Sequence, residues 1–526
     1  MLAGCISRRR WHVIEYRGSG GKGRLLARRG SLPERVAFIH DYVILLVIIT
    51  VHATWPFGWD VVGTQACRLG VNDWQKQRSP TAFKSLTLSK SVRSLVRLVS
   101  AGSIRRLLLA LSVSCASIWF AQPACSEPPA VPTGGSPADR AADFDQLWHE
   151  VNESYVYLGD KADSWGNVRQ RYAAQVNKAQ TLNAWTSVLG AALGELADFH
   201  IEVDPRPNDD WRPVPTCAMI WAEWRNGEAL VTGVQSGGNA ARAGILPGDI
   251  ILKIGGQAVG AQILADVNPA VRDHILLQQL AGRKGSHVDL DLRTPALVDR
   301  SIRLESDCKV NRPEAPITVL RTPGGYGLIR FNNSLGDTGT VTAFDKALAT
   351  LRDAPGLIVD LRDTPSGGNS TVALGVLGRF VDHRAPYQMH RIPHFGRLDV
   401  ERVWLEEVTP RGPFQYNKPV VVLADHWTGS MGEGMASGFD GLHRAVVVGT
   451  SLGRLNGSIQ TITLAHTHVV VDIPEEQIFH VNGVPRHEWN PPVLVDLVTT
   501  RGQADPELAA AERVLKDQFA RGRLGN

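Results

Sequence analysis

The chain has 526 residues, more than a single hydrophobic core usually spans, so we expect two or three packed units. Its content of 43% hydrophobic and 21% charged residues is typical of a folded, soluble protein. Residues 1–126 contain 18 Lys and Arg but only 5 Asp and Glu, a net charge of +13, whereas the other 400 residues carry −9. This mildly acidic body gives no reason to expect a nucleic-acid partner.

The segment before the body predicts export. A basic stretch, Ser103–Arg106, precedes the apolar run Leu107–Ala121, and the small residues Ala124–Ser126 follow. A basic start, about 15 apolar residues and a small-residue exit have the anatomy of a secretory signal peptide. We therefore predict a signal peptide over 96–126 and an exported bacterial protein, periplasmic or extracellular, with no stable membrane insertion of the mature body. A buried helix is the alternative.

The position of this signal peptide is unusual, because a signal peptide belongs at the start of a chain. Met1 is the only methionine before Met219, so we expect translation to begin at an alternative codon near Val92–Val99. Residues 1–95 would then be a doubtful upstream extension. The alternative is a genuine membrane-anchored extension, although its apolar run Val43–Val51 is too short to span a bilayer.

The body divides by composition and periodicity. Residues 127–138 are rich in Pro, Gly and Ser and predict a linker, and apolar residues at three- and four-residue steps predict a helical unit over 139–204. Strand-like and turn-like stretches predict a β-rich domain over 216–310. Strands alternate with helices over 314–500, and apolar runs such as VVVLA predict an α/β core with its sheet covered on both faces. Residues 503–526 predict a C-terminal helix.

Two cysteines remain in the mature body, Cys217 and Cys308, and they bracket the β-rich domain. In an exported protein they could form a disulfide, and two separate buried thiols are the alternative. No C-x-x-C spacing accompanies them, so the sequence predicts no metal site.

The string AARAGILPGDIILKIGGQAV (Ala240–Val259) resembles a PDZ domain. In that family a groove beside an open strand edge takes in a polypeptide C-terminus by strand addition. The resemblance implies that residues 216–310 engage the C-termini of polypeptide substrates, with Ala218–Ile220 as the candidate for the carboxylate-binding loop.

The segment Pro419–Glu433 reads as a buried strand, a glycine-containing turn and the start of a helix. A serine at that start, Ser430, has its Oγ beside unpaired backbone N–H groups, which can hold the negative charge of a tetrahedral intermediate. Ser430 and Glu433 also form a capping-box pattern, which requires no catalysis.

Two motifs resemble the C-terminal-processing and tricorn-core serine peptidases. The strand Ile358–Leu361 leads into Arg362–Gly368, similar to the family's D-L-R-x-N-x-G-G strand, and Thr428–Glu433 matches its T-x-S-x-x-E turn. The resemblance implies an α/β fold with a ClpP/crotonase-like core, a helical N-terminal unit and an inserted PDZ-like domain. It implies Ser430 as nucleophile.

The same resemblance implies an oxyanion hole made by backbone N–H groups of Gly367 or Gly368 together with Met431. It also implies that the substrates are polypeptides and that no cofactor is used. The oligomeric state is not predicted.

The general base is where the chain departs from the C-terminal-processing branch. That branch uses a lysine 25 residues after the serine, and this chain has Leu455 there, with Arg454 beside it. Leucine cannot accept a proton and arginine stays charged, so a Ser–Lys dyad is not expected. The tricorn-like branch implies His200 as base and Glu488 as its orienting acid. The residue before this histidine is Phe199, where that branch normally has serine.

Two other functions stay open. A peptide-binding protein that has lost activity would use the same fold. The missing lysine would support it if no histidine replaced its function, and the retained Ser430, Gly367–Gly368 and His200 argue against it. An α/β-hydrolase esterase needs G-x-S-x-G, but Thr428 stands at the first glycine position and the strand ends about six residues before Ser430.

Overall fold

The computed structural model of the chain describes residues 11–18, 21–28, 131–206, 218–262, 269–281, 286–305, 310, 312–393 and 400–524. The chain divides into two compact units, Met1–Pro123 and Ala124–Asn526. The described part of the first is an antiparallel hairpin of β1 (Trp11–Gly18) and β2 (Gly21–Arg28). The predicted signal peptide and both body cysteines, Cys217 and Cys308, lie outside the described residues.

The second unit begins with helices. They are α1 (Pro137–Ser154), α2 (Ala162–Gly166), α3 (Val168–Lys178) and α4 (Leu182–Gly194), with a 3₁₀ turn at Gly159–Lys161. Helix α1 starts with a capping box, because Ser136 and Asp139 exchange side-chain and backbone hydrogen bonds. Its apolar face packs inward through Phe144, Leu147 and Val151, as the three- and four-residue spacing predicts.

The β-rich domain follows as an antiparallel sheet of order β4-β5-β6-β8-β9, with β7 paired to β6. Its elements are β4 (Ile220–Arg225), β5 (Glu228–Val234), α5 (Asn239–Arg242), β6 (Ile250–Ile254), β7 (Gln257–Ala258), α6 (Val259–Gln262), α7 (Pro269–Ala281), β8 (His287–Arg293) and β9 (Asp299–Glu305). Helix α7 lies against β4, the terminal strand of this sheet, and buries Leu276, Leu277 and Leu280.

The core contains a six-stranded sheet whose first pair is antiparallel and whose other pairs are parallel. Its strands in order are β10 (Ile317–Arg321), β11 (Gly327–Phe331), β12 (Leu357–Asp360), β15 (Val420–Ala424), β16 (Val446–Gly449) and β19 (Val493–Leu494). Its helices are α8 (Gly339–Thr350), α9 (Ser370–Leu377), α10 (Met431–Gly441) and α11 (Pro506–Leu524). Every residue of β12 and β15 is buried, which confirms the α/β class expected from the apolar runs.

A second core sheet joins the helical unit to this core. It has the order β14-β13-β18-β17, formed by β13 (Ala385–Ile392), β14 (Arg402–Val408), β17 (Ser458–Thr463) and β18 (Val470–Phe479). Strand β3 (Glu202–Asp204), which follows α4, pairs antiparallel with β18. This pairing brings the loop that carries His200 to the core. Within the described ranges, no helix is long and apolar enough to cross a membrane.

Candidate active site

The turn that carries Ser430 is fixed by the parallel pairing of β12 and β15. The carboxyl ends of parallel neighbours meet at one edge of a sheet, so the loops after these strands run side by side. They are joined by main-chain bonds: the Thr364 N–H donates to Trp427 O at 3.2 Å, and the Gly429 N–H donates to Thr364 O at 3.2 Å. The Thr428 hydroxyl also donates to Leu361 O at 3.0 Å.

Ser430 occupies the cap position of α10 with φ 48° and ψ −113°, a conformation that L-residues rarely adopt. Such backbone strain costs about 1–3 kcal/mol and persists only where the surroundings impose it. Gly367, itself at φ +62°, lies directly against this serine. A Cβ on Gly367 would come within 2.5 Å of Ser430 Cβ and 3.1 Å of its Oγ, so only glycine fits.

Three backbone N–H groups were predicted to form the oxyanion hole. Met431 is the first residue of α10, so its N–H has no acceptor within the helix. The Gly367 N–H donates to Thr364 O at 3.0 Å. No acceptor for the Gly368 N–H is found among the described residues, and the backbone of Leu335 would lie 2.2 Å from a Cβ on that glycine. All three N–H groups therefore belong to residues in or next to the Ser430 turn, and that of Gly367 already donates to Thr364 O.

Glu433 supplies the side-chain half of the predicted capping box. Its Oε2 accepts the Ser430 N–H at 2.8 Å and the Leu455 N–H at 3.2 Å. The carboxyl group is fully buried, and burial raises its pKa to about 7, although the nearby Arg486 acts in the opposite direction. The Glu433 carboxyl group therefore connects the Ser430 turn to the loop that contains Leu455.

The loop that contains Leu455 lies beside the nucleophile turn and provides no base at that position. Leu455 is 5% exposed and its Cδ1 would lie 3.1 Å from a Cβ on Gly429, beside the nucleophile turn. Its side chain packs into the hydrophobic cluster of the β-rich domain together with Trp427.

His200 lies in the loop between α4 and β3 and is 5% exposed. Its backbone N–H donates to Asp198 Oδ1 at 2.8 Å, and its ring Nδ1 lies 2.5 Å from the carbonyl oxygen of Asn456. Asp198 Oδ2 accepts from the Tyr155 hydroxyl at 2.8 Å and from Asn456 Nδ2 at 3.0 Å. Burial, followed by the charge of Asp198, raises the pKa of Tyr155, so this hydroxyl keeps its proton and remains a donor.

Glu488 lies at the surface, with 65% of its side chain exposed, and its Oε1 is 3.7 Å from His487 Nε2. Burial lowers the pKa of His487, so that ring is neutral near pH 7 and the contact is not an ion pair. The role of Glu488 as orienting acid stays a prediction.

Asp425 and His426, which precede Ser430, are structural. Asp425 Oδ1 accepts the Trp427 N–H at 2.8 Å, and burial raises the pKa of this acid well above its usual range. The His426 ring stacks on Trp221 of β4, with centroids 4.6 Å apart and planes 2° apart. Burial lowers the pKa of His426 to about 3, so the ring is neutral, and its place is the contact between the β-rich domain and the nucleophile turn.

Sequence reasoning missed three residues of this site: Tyr155, Asn456 and Arg486. Tyr155 fits the apolar helical spacing of α1 and therefore reads as a core residue. Arg486 is 3% exposed, and its side chain donates to Leu455 O and Gly457 O. A buried arginine has no local sequence signature, and an asparagine beside a glycine reads as a turn.

Three family models match the chain. Peptidase family S41 matches residues 325–490, the PDZ domain matches 230–274, and the tricorn protease C1 domain matches 136–194. Residues 325–490 are therefore similar to peptidase family S41. The S41 match includes Gly367, Gly368 and Ser430, and the resemblance deduced from the two motifs is confirmed.

A curated relative is the carboxy-terminal processing protease CtpA of Bacillus subtilis, 26% identical over 250 residues, or 45% of this chain. The chain spans about half the length of that relative, 47%. Among solved structures, the photosystem II D1 C-terminal processing protease is 18% identical, with 72% of this chain and 97% of that chain covered and a TM-score of 0.45. The tricorn protease is 17% identical, with 73% and 37% covered and a TM-score of 0.39.

Proposed function

We propose that the protein is a serine peptidase that hydrolyses polypeptides through an acyl-enzyme on Ser430. The observation that carries this proposal is the conformation of Ser430. It is a partly exposed serine, strained at a helix N-terminus, against a glycine that no other residue can replace, inside an S41 domain. Neither a capping role nor a turn role requires that combination.

In the proposed reaction His200 accepts the Ser430 Oγ proton while Oγ attacks the scissile carbonyl carbon. The carbonyl oxygen becomes an oxyanion held by the N–H groups of Gly368 and Met431, since the Gly367 N–H already has an acceptor. Collapse breaks the C–N bond, and His200 returns its proton to the leaving amine. Water, deprotonated by His200, then attacks the ester carbonyl carbon. The C–O bond to Ser430 breaks, the carboxylic acid product leaves, and His200 returns the proton to Ser430 Oγ.

The PDZ match supports the proposal that the substrates present a free polypeptide C-terminus. A polypeptide C-terminus added as a strand to β4 would lie between that strand and α7. In the structure the Trp224 N–H of β4 donates to Asp273 Oδ1 of α7 at 2.8 Å, so an incoming peptide has to displace this bond. The name of the matched relative, a carboxy-terminal processing protease, is consistent with such substrates.

Export is part of the proposal. The leader at 96–126 would direct the chain out of the cytoplasm and be removed near Ser126. N-terminal sequencing of the protein recovered from a periplasmic fraction tests this, and we expect a start near Glu127. A cytoplasmic protein that keeps the segment Leu107–Ala121 would contradict it.

The test of the activity is labelling of the full chain with a fluorophosphonate, compared with Ser430→Ala and His200→Ala. We expect the wild type to react, Ser430→Ala to lose the label, and His200→Ala to react much more slowly. Ser437→Ala is the matched control, because Ser437 lies in the same helix but its Oγ donates to Glu433 O in the interior.

Each other outcome has a definite meaning. A folded wild type that takes no label would overturn the peptidase and favour a peptide-binding protein on the same fold. Label that survives Ser430→Ala would place the nucleophile elsewhere. Label that is unchanged in His200→Ala would keep the peptidase and reject this base.

A further inference from the structure

The ring contact of His200 defines its tautomer. Nδ1 lies 2.5 Å from Asn456 O, and a carbonyl oxygen can only accept a hydrogen bond. The neutral ring therefore carries its proton on Nδ1 and its lone pair on Nε2. This is the arrangement in which Nε2 can accept a proton, so the carbonyl does what an orienting acid would otherwise do.

Asn456 is held in this position by its own side chain. Its Nδ2 donates to Asp198 Oδ2 at 3.0 Å, and the other oxygen of the same carboxylate accepts the His200 N–H at 2.8 Å. The histidine and its carbonyl partner are thus bound to one buried carboxylate, which Tyr155 also contacts at 2.8 Å. This closed set of hydrogen bonds fixes the distance between the ring and the carbonyl.

Arg486 fixes the direction of the carbonyl. Its Nη2 donates to Gly457 O at 2.7 Å and to Leu455 O at 3.2 Å, the carbonyl groups on both sides of Asn456. With both neighbouring carbonyl groups turned toward the guanidinium, the backbone between them has little freedom to rotate. The guanidinium is buried, so the cost of its desolvation is offset only while these bonds are made.

We propose that Asn456 and Arg486 are the positioning residues of the general base, and that the Asn456 main-chain carbonyl, not the Glu488 carboxylate, orients His200. This inference rests on the proposed peptidase function and goes beyond it by naming what replaces the orienting acid. Glu488, 65% exposed and 3.7 Å from His487, is then dispensable for the reaction.

The departure at Phe199 agrees with this arrangement. The side chain before His200 is apolar and stacks on His274 of α7, with ring centroids 4.6 Å apart, so it takes no part in a hydrogen-bond relay to the base. The polar connection runs on the other side, through Asp198 and Asn456. Because Glu488 does not orient the ring in this arrangement, the acid limb of the rate profile should be independent of Glu488.

The experiment combines histidine-selective ¹⁵N NMR with steady-state kinetics on the full chain. The His200 signals are assigned by their loss in His200→Ala. We expect Nδ1 protonation in the wild type and in Glu488→Gln, with kcat and the acid limb of kcat/KM in that variant within about twofold of the wild type. Asn456→Ala, which keeps the carbonyl but loses the Asp198 bond, should lose the fixed tautomer and lower kcat about 10- to 100-fold at nearly unchanged KM.

Arg486→Met should act in the same direction, and Asn456→Ala keeps the test valid if the arginine variant fails to fold. A second check exchanges the partners: Asp198→Asn combined with Asn456→Asp should recover part of the kcat that Asn456→Asp alone loses. A merely structural role would not give such recovery.

The two proposals fail in different ways. A large fall in kcat or a shifted tautomer in Glu488→Gln would overturn the carbonyl assignment, and so would a wild-type ring protonated on Nε2 that still labels at Ser430. A wild type with Nδ1 protonated but no reaction at Ser430 would overturn the peptidase function, and with it any catalytic meaning of the positioning residues.

Discussion

The two parts of the candidate site, the Ser430 turn and the His200 loop, are held by different means. The Ser430 turn is fixed by main-chain hydrogen bonds between loops that leave two adjacent parallel strands, and by a glycine with no room for a side chain. The His200 loop is fixed through its own Asp198, whose carboxylate accepts hydrogen bonds from two distant side chains, Tyr155 and Asn456. We call the first arrangement a main-chain frame and the second a side-chain frame. A main-chain frame tolerates many side-chain substitutions but no added Cβ. A side-chain frame should lose its geometry in steps, as each hydrogen-bond partner is removed.

The largest effect is expected at the nucleophile turn. Gly367→Ala would place a Cβ 2.5 Å from Ser430 Cβ at φ +62°, so the serine or the glycine loop must move. Displacement of a nucleophile by about 1 Å and disturbance of adjacent oxyanion donors together should lower the labelling rate about 1,000-fold.

Gly336→Ala is the matched control for this change. A Cβ on Gly336 meets nothing within 4 Å, although this residue lies close to the same loop and accepts a hydrogen bond from Asn369. Labelling rates and thermal unfolding of both variants are to be compared. Wild-type labelling in Gly367→Ala would show that the main-chain frame is less rigid than its contacts indicate.

The contrast between the two halves explains what the sequence could predict. The α/β core and the strand–turn–helix around Ser430 were predicted because buried parallel strands, glycine turns and helix starts are local patterns. Once these two strands are known to pair side by side, the loops that follow them must lie together, which brings Gly367 to Ser430. No other long-range contact is needed for this inference. Position 455, by contrast, was singled out only through the resemblance, by counting 25 residues from Ser430.

His200, the proposed base, could be inferred only through resemblance. The contact between His200 and Asn456 spans 256 residues, and it depends on the pairing of β3 with β18, which no local pattern shows. Neither Tyr155 nor Asn456 has a sequence feature that separates it from a core residue or a turn residue. A hydrogen-bond set made from single side chains of distant segments becomes visible only in three dimensions.

The next largest effect tests the electrostatics of the nucleophile turn. Burial raises the pKa of Glu433 to about 7, so between pH 4.5 and 7 the folded protein keeps a proton that the unfolded chain releases. The corresponding stability is complete below pH 4.5 and is lost as the pH rises through 7. A shift of this size corresponds to about 3 kcal/mol.

Glu433→Gln removes this titration and keeps an acceptor for the Ser430 N–H. Between pH 4.5 and 7.5, the free energy of unfolding of the wild type should therefore fall by about 3 kcal/mol more than that of the variant, measured by urea unfolding. Parallel pH curves for the two proteins would mean that this carboxyl is ionised throughout and that Arg486 compensates its charge.

A smaller effect of opposite sign is expected where the base loop meets α7. His274 is 4% exposed, neither ring nitrogen has a partner among the described residues, and the ring faces Phe199, with Asp198 and Lys161 as the nearby charges. Burial lowers its pKa to about 4, so its contribution to stability is complete above pH 6.5 and is lost as the pH falls toward 4.

His274→Leu keeps an apolar side chain against Phe199 and has no proton to bind. From pH 6.5 to pH 5, the wild type should lose about 2 kcal/mol more of its free energy of unfolding than this variant does. If the variant instead labels as slowly as His200→Ala at pH 7, then α7 takes part in holding the base loop, and the side-chain frame extends into the β-rich domain.

The smallest effect isolates one partner of the base loop. Tyr155→Phe removes the hydroxyl that donates to Asp198 Oδ2 but keeps the ring, which is 4% exposed, in the core. Asp198 retains the bonds from His200 and Asn456, so the loss should be about 1 kcal/mol of stability and a fall of a few-fold in the labelling rate.

Tyr172→Phe is the matched control, since its hydroxyl donates to Ala191 O at an exposed position of the same helical unit. A small fall in the labelling rate of Tyr155→Phe and a large fall in that of Gly367→Ala would distinguish a side-chain frame from a main-chain frame. Equal falls in the labelling rates of Tyr155→Phe and Gly367→Ala would contradict that distinction.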